Sequence, residues 1–221
     1  MSAYQRHEEE VTALLVLAQD PPRGGTRQDK QWLLVSGSVD RTIQVHDVIQ
    51  GTRLHKVQAH DGSVMTLHPW HGAVLSGADD GSLHVWSSTT WQLLQKVTEA
   101  HASGIVCIQA TPERLLTGGG DGALKVWRAF PLASPSLRLA SESDMAPLSR
   151  RAFTLQLAYT VKEHTAPLWC IDVREGHMWT GALNGTIKLW DFHGLRSLGI
   201  QHLSPNAPPA APADTIASSI E

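Results

Sequence analysis

A histidine, a hydroxyl residue and an aspartate or asparagine recur in the same order along this chain, at matched spacing in three of four sets. His60 is followed by Ser76 and Asp80, His101 by Thr117 and Asp121, His164 by Thr180 and Asn184, and His7 by Ser36 and Asp40. These are the residue types of nucleophilic hydrolysis, in which a base takes a hydroxyl proton and a carboxylate orients the base. One segment, TGGGDG (117–122), also has the glycine content of a loop that cradles phosphate.

Neither chemistry fits the surroundings. A phosphate loop runs from a strand through glycines into a helix N-terminus. Here ALKVW (123–127) follows and alternates like a strand. Hydrolysis needs one exposed constellation, whereas this set recurs in every unit, and no G-x-S-x-G elbow is present. The glycines read better as a turn, where they accept left-handed backbone angles without steric cost.

The recurrence is the informative feature. SGSVDRTIQVHD (36–47), SGADDGSLHVWS (76–87), TGGGDGALKVWR (117–128) and TGALNGTIKLWD (180–191) align without gaps, with His46, Trp86, Trp127 and Trp190 at one position. His60, His101 and His164 stand 20 residues before Asp80, Asp121 and Asn184. His7 stands 33 before Asp40, and the surplus falls around DPPRGGTRQDK (20–30), which has loop composition. After each histidine, Val11, Val64, Ile105 and Leu168 open an alternating apolar run, and further runs follow, as in WQLLQKV (91–97). The pattern predicts about four short strands per unit of about 40 residues.

These motifs resemble the WD40-repeat (β-transducin-like) family across roughly residues 7–203. The family's Gly-His is replaced by Arg-His, Ala-His, Ala-His and Glu-His, and its Trp-Asp pair is intact only at Trp190-Asp191. The resemblance implies an all-β fold, a β-propeller with blades at about 7–53, 54–97, 98–163 and 164–203. It implies buried tetrads of His, Ser/Thr, Asp and Trp. By position these are His60, Ser76, Asp80, Trp86; His101, Thr117, Asp121, Trp127; His164, Thr180, Asn184, Trp190; and His7, Ser36, Asp40, His46. Asn184 brings donors where the others bring only acceptors, so the fourth blade is expected to be held less tightly.

The resemblance also implies a non-catalytic scaffold or adaptor without cofactor or metal, binding partner peptides or domains through its propeller faces. Candidate partner-binding residues beside the aspartate turns and after the tetrad histidines are Val39, Arg41, Asp61, Asp79, Ser82, Ala102, Gly120, Thr165 and Leu183. An alternative is the substrate-recruiting or regulatory portion of a larger complex or enzyme, such as a ubiquitin ligase, in a truncated form.

Four blades are few for this family, whose rings usually have seven, and an open end bares strand edges and apolar faces. The chain is expected to be part of a longer propeller, a small closed ring, or one partner of a dimer that completes a larger ring. Self-association through open blades belongs to that expectation. His202 lies 12 residues after Trp190, where a fifth unit would begin, but 204–221 turns to Pro, Ala and Ser and is expected to be disordered.

The rest of the composition is permissive. A net charge of -3, from 18 basic and 21 acidic residues, gives no pull toward nucleic acid. Apolar runs such as 13–18 fall far short of a bilayer span. Two cysteines, Cys107 and Cys170, make no disulfide framework and are expected to be small buried hydrophobes in an intracellular protein of the cytoplasm or nucleus. His68-Pro69-Trp70-His71 is expected to be a surface turn. Trp70, Trp91 and Trp179 lie outside the tetrads and suit either binding hot spots or cover for outer strands. Residues 129–160 are expected to form a surface loop.

Overall fold

The computed structural model describes residues 6–19, 30–131, 153–191 and 196–202. Among the described residues, alternating runs and tight turns give sixteen strands in four antiparallel sheets of four. The first sheet holds β1 (Val11–Gln19), β2 (Gln31–Ser38), β3 (Thr42–Asp47) and β4 (Arg53–Gln58). The second holds β5 (Val64–Trp70), β6 (Ala73–Ala78), β7 (Leu83–Ser87) and β8 (Leu93–Val97). The third holds β9 (Ile105–Ala110), β10 (Leu115–Gly119), β11 (Leu124–Pro131) and β12 (Phe153–Val161). The fourth holds β13 (Leu168–Arg174), β14 (His177–Ala182), β15 (Thr186–Asp191) and β16 (Arg196–His202). Strand order within each sheet follows chain order, so each sheet is a blade built as a meander.

The same irregularity recurs where the first and second strands of each blade pair. A bulge falls at Val11/Ala13, Val64/Thr66, Gly118/Gly119 and Leu168/Cys170. A bulge at a strand end bends the strand and re-aims its side chains.

The core lies in the seams between blades. At the first seam Leu33, Val35, Ile43 and Val45 meet Val64, Val74 and Trp86. At the second, Leu75, Leu83 and Val85 meet Ile105, Leu115 and Trp127. At the third, Leu116, Leu124 and Val126 meet Leu168, Met178 and Trp190. The repeated positions are therefore repeated contacts. Inner strands β1, β5, β9 and β13 pack in succession, but among the described residues no comparable packing returns from β13 to β1. The described residues of the four blades therefore form an open array rather than a small closed ring.

Three expectations change. The first blade extends to Gln58, because β4 pairs with β3 rather than with the second blade. Residues 129–160 are not all loop, since Ala129–Pro131 pair with Phe153–Leu155 and β12 continues to Val161. Phe153 is held edge-on to Trp70, 5.6 Å between ring centroids, and Gln95 of the second blade bonds both backbone groups of Leu155. The middle of that insertion and the tail at 204–221 lie outside the described residues. His68 and Pro69 sit inside β5, and the turn is His71-Gly72, both at positive φ.

Candidate protein-interaction rim

Each blade is tied together by a buried polar chain. Trp86, Trp127 and Trp190 donate their indole N–H to Ser76, Thr117 and Thr180 at 2.8, 2.9 and 2.8 Å. Those hydroxyls lie 2.6, 2.8 and 2.7 Å from Nε2 of His60, His101 and His164, and Ser36 lies 2.7 Å from Nε2 of His7. His46 occupies the first blade's tryptophan position and is buried.

The third blade fixes the direction of donation. His101 Nδ1 lies 3.1 Å from Asp121 Oδ1. A carboxylate only accepts, so Nδ1 carries the proton and Nε2 accepts from the Thr117 hydroxyl. That hydroxyl in turn accepts from Trp127, and the third blade's chain is satisfied. Burial holds His101 below the ordinary imidazole pKa against the opposing pull of Asp121. Burial pushes His60 down to about 3, helped by the nearby His84, whose ring stacks on it at 3.9 Å. Burial and then Lys188 lower His164. Burial would raise Asp80 and Asp121, but hydrogen bonds from their own turns and from the histidine side outweigh it and hold both below the usual carboxylate range.

A fifth member was missed in the sequence. In the second blade His60 Nδ1 meets Ser82 Oγ at 2.6 Å and is 3.9 Å from Asp80. Ser82 relays between them. Thr42 and Thr186 hold the same position and bond Asp40 and Asn184 at 2.6 and 2.8 Å. Ser82 is therefore a buried structural residue and not part of a partner-binding surface. Its signal was legible as a hydroxyl two residues after the turn aspartate in three of the four units. The third blade has Ala123 there, and its histidine and aspartate bond directly, as His7 and Asp40 of the first blade also do at 2.9 Å.

The same networks shape one edge of the array. Amides of Val39, Asp79, Gly120 and Leu183 donate to carbonyls of Glu10, Ser63, Gly104 and Pro167, tying each aspartate turn to the entry loop of its own blade. The first three turns also abut the next blade. His60 and His101 amides donate to Arg41 and Gly81 carbonyls at 3.4 and 3.0 Å. A Cβ on Gly81 would sit 2.4 Å from His101 O, and one on Gly122 would sit 2.8 Å from His164 O. Both glycines have positive φ, so they satisfy a turn and a close approach at once. The result is a continuous rim across four blades.

Arg41, Asp61, Asp79, Ala102, Thr165 and Leu183 are exposed on the rim, and Val39 and Gly120 are half-buried. Asp79 also accepts the Ser63 amide at 2.6 Å, so its carboxylate is oriented. Asn184 bonds Thr165 and Thr186. Of the other tryptophans, Trp70 and Trp91 are buried and Trp179 is exposed. Cys107 is largely covered and its thiol is pushed up to about 12 by burial, whereas Cys170 is exposed, contrary to expectation. Cys107 lies at a seam where Leu168 of the next blade approaches, and among the described residues no blade follows Cys170.

At the opposite edge a concavity of about 520 Å³ is lined by residues including Leu17, Trp70, His71 and Thr111. His71 is its one titratable side chain, and its ring bonds Pro112 O. Among the described residues no cluster of His, Cys, Asp or Glu could hold a metal ion.

Comparison with known proteins agrees with this architecture. The WD40 pattern, described as "WD domain, G-beta repeat", matches residues 51–87, 92–128 and 155–191. A p21-activated protein kinase-interacting protein 1-like of Danio rerio is 33% identical over 81 residues, which is 36% of this chain and 22% of that protein. Its Gallus gallus counterpart is 29% identical over 80 residues, 36% of this chain and 21% of that protein. Lissencephaly-1 homolog 1 of Paramecium tetraurelia is 35% identical over 71 residues, 31% of this chain and 18% of that protein. The chain thus matches about a fifth of the length of these relatives. The crystal structure of the computationally designed Ika4 protein superposes with a TM-score of 0.62 at 25% identity, covering 86% of this chain and 95% of that one. With its matched repeats, repeated polar networks and bladed fold, the chain belongs to the WD40 family of WD domain, G-beta repeat proteins.

Proposed function

We propose that this chain is a non-catalytic scaffold that binds a partner protein on the rim of aspartate turns. The observation that carries the reading is the double anchoring of that rim. Every aspartate turn is bonded to its own entry loop, and the first three turns also abut the next blade. Exposed side chains of unlike character, including Arg41, Asp61 and Leu183, therefore project from a preorganised surface. Preorganisation lowers the ordering cost of binding. Several relatives are named for interaction with a p21-activated protein kinase, which makes such a kinase a first candidate to test.

The test is affinity capture from cells with the tagged chain and with a rim variant carrying Arg41→Glu, Asp61→Lys and Leu183→Glu. The scaffold reading expects a partner captured in constant proportion by the first and lost by the second. A partner retained equally by the rim variant, or capture of chaperones alone, would overturn it.

A further inference from the structure

The three seams supply a template for what covers the array's two ends. At each seam an inner-strand residue of the following blade plugs the space above a glycine of the preceding one. A Cβ at Gly37 would meet Val64 and Leu67, one at Gly77 would meet Ile105, and one at Gly118 would meet Leu168. Gly181 is the fourth in that series, and among the described residues a Cβ there would meet only Cys170 of its own blade. The turn glycines give the same answer. Gly81 and Gly122 press on the histidine carbonyls of the following blade, but Gly185, with the same positive φ, has nothing within 4 Å. The fourth blade therefore presents the socket half of a seam, bordered by Trp179, Leu189 and the exposed Cys170.

The first blade presents the plug half. Val11 is the repeat equivalent of Val64, Ile105 and Leu168, and Leu14 is the equivalent of Leu67. Those equivalents are covered inside the chain, whereas Val11 is 50% and Leu14 65% exposed. Beside them an open cavity of about 430 Å³ is lined by His7, Val11, Leu14, Leu34 and His46. Apolar faces of this kind on one molecule mark an interaction surface.

We propose that the occupant of both faces is a second copy of this chain. Its Val11 and Leu14 seat over Gly181 and Trp179 of the first copy, while its own fourth blade receives the plug of the first. One chain carries both halves of a seam that it already forms three times. Two copies related by a two-fold axis then close two equal seams, with no face left over. The ring has eight blades, within the range that propellers adopt. At each new seam the His7 amide meets the Gly185 carbonyl, as the His101 amide meets Gly81.

The test is the mass of the full-length chain by sedimentation velocity at micromolar concentration, with Leu14→Lys and Trp179→Glu variants. The chain is 24.1 kDa, so the expected mass is twice that. Each variant alone should sediment as a monomer with an unchanged far-UV spectrum, because both side chains are exposed in the single chain. An equimolar mixture should recover the dimer, since one of its two seams is then unaltered. A second readout uses the unmodified chain. Cys170 should react with a thiol reagent slowly at high concentration and at least tenfold faster on dilution below the dissociation constant. A monomeric unmodified chain overturns the proposal, whether its faces stay bare or are covered by further blades or a different protein. A dimer indifferent to both substitutions, a mixture that stays monomeric, or a Cys170 rate independent of concentration overturns it too.

Discussion

Acid should loosen this protein well before its carboxylates protonate, and His60 shows by how much. Its Nε2 and Nδ1 lie 2.6 Å from Ser76 and Ser82, and its ring stacks on His84. Burial is the largest influence on its charge, followed by repulsion from His84; Asp80 and Asp61 pull the other way and Lys96 adds to the depression. The folded pKa falls from 6.5 to about 3. Because it is depressed, the unfolded chain takes the proton first as pH drops. The His60 contribution is complete above pH 6.5 and is lost between there and about 3. At pH 5 the unfolded histidine is almost fully charged and the folded one almost neutral, so His60 alone removes about 2 kcal/mol relative to pH 8. His84, His101 and His164 are lowered by burial as well and steepen the same slope. Asp40, Asp80 and Asp121 have folded pKa values below the ordinary 3.8, so their contribution is lost only at lower pH. Urea unfolding at pH 8, 6 and 5 reads the histidines separately. The slope should fall in His60→Asn by the share computed for His60. Equal stability at pH 8 and 5, or a slope unchanged in His60→Asn, would refute the reasoning.

Three further outcomes follow from the same geometry. Asp121→Ala should cost about 1–3 kcal/mol in chemical unfolding, because it strands His101 Nδ1 and the amides of Ala102 and Ala123. Gly81→Ala should cost at least about 2 kcal/mol, since a left-handed angle is added to a Cβ 2.4 Å from His101 O; thermal melting reads it directly. Trp86→Phe keeps most of the ring packing at the first seam but removes the donor to Ser76, so a stability loss of about 1–3 kcal/mol should accompany a folded spectrum.

The blades were legible because their signals are periodic. Strand alternation, the aspartate turns and the histidine spacing all repeat, and each repetition constrains the next. Single features were harder. Arg53–Gln58 has a weakly apolar pattern on an exposed outer strand, so nothing in it separates the end of one blade from the start of the next. Phe153–Val161 sits after a long interruption, and its anchors, Gln95 and Trp70, are distant in sequence. Ser82 lay in the turn, where a hydroxyl reads equally as solvated surface; Thr42 and Thr186 repeat it in the sequence, and the 2.6 Å contact with His60 shows it to be a relay. Cys170 matches Cys107 in sequence and differs in having no following blade among the described residues, which a local pattern does not record.

The central claim is that the rim of aspartate turns receives the partner. Hydrogen exchange of the chain with and without its captured partner tests this most directly. Binding should slow exchange at 8–10, 39–41, 61–63, 79–82, 102–104, 120–122, 165–167 and 183–185, the turns and entry loops of the rim. Protection confined instead to the opposite edge, at the turns around His71-Gly72, Pro112 and Glu175-Gly176, would contradict it.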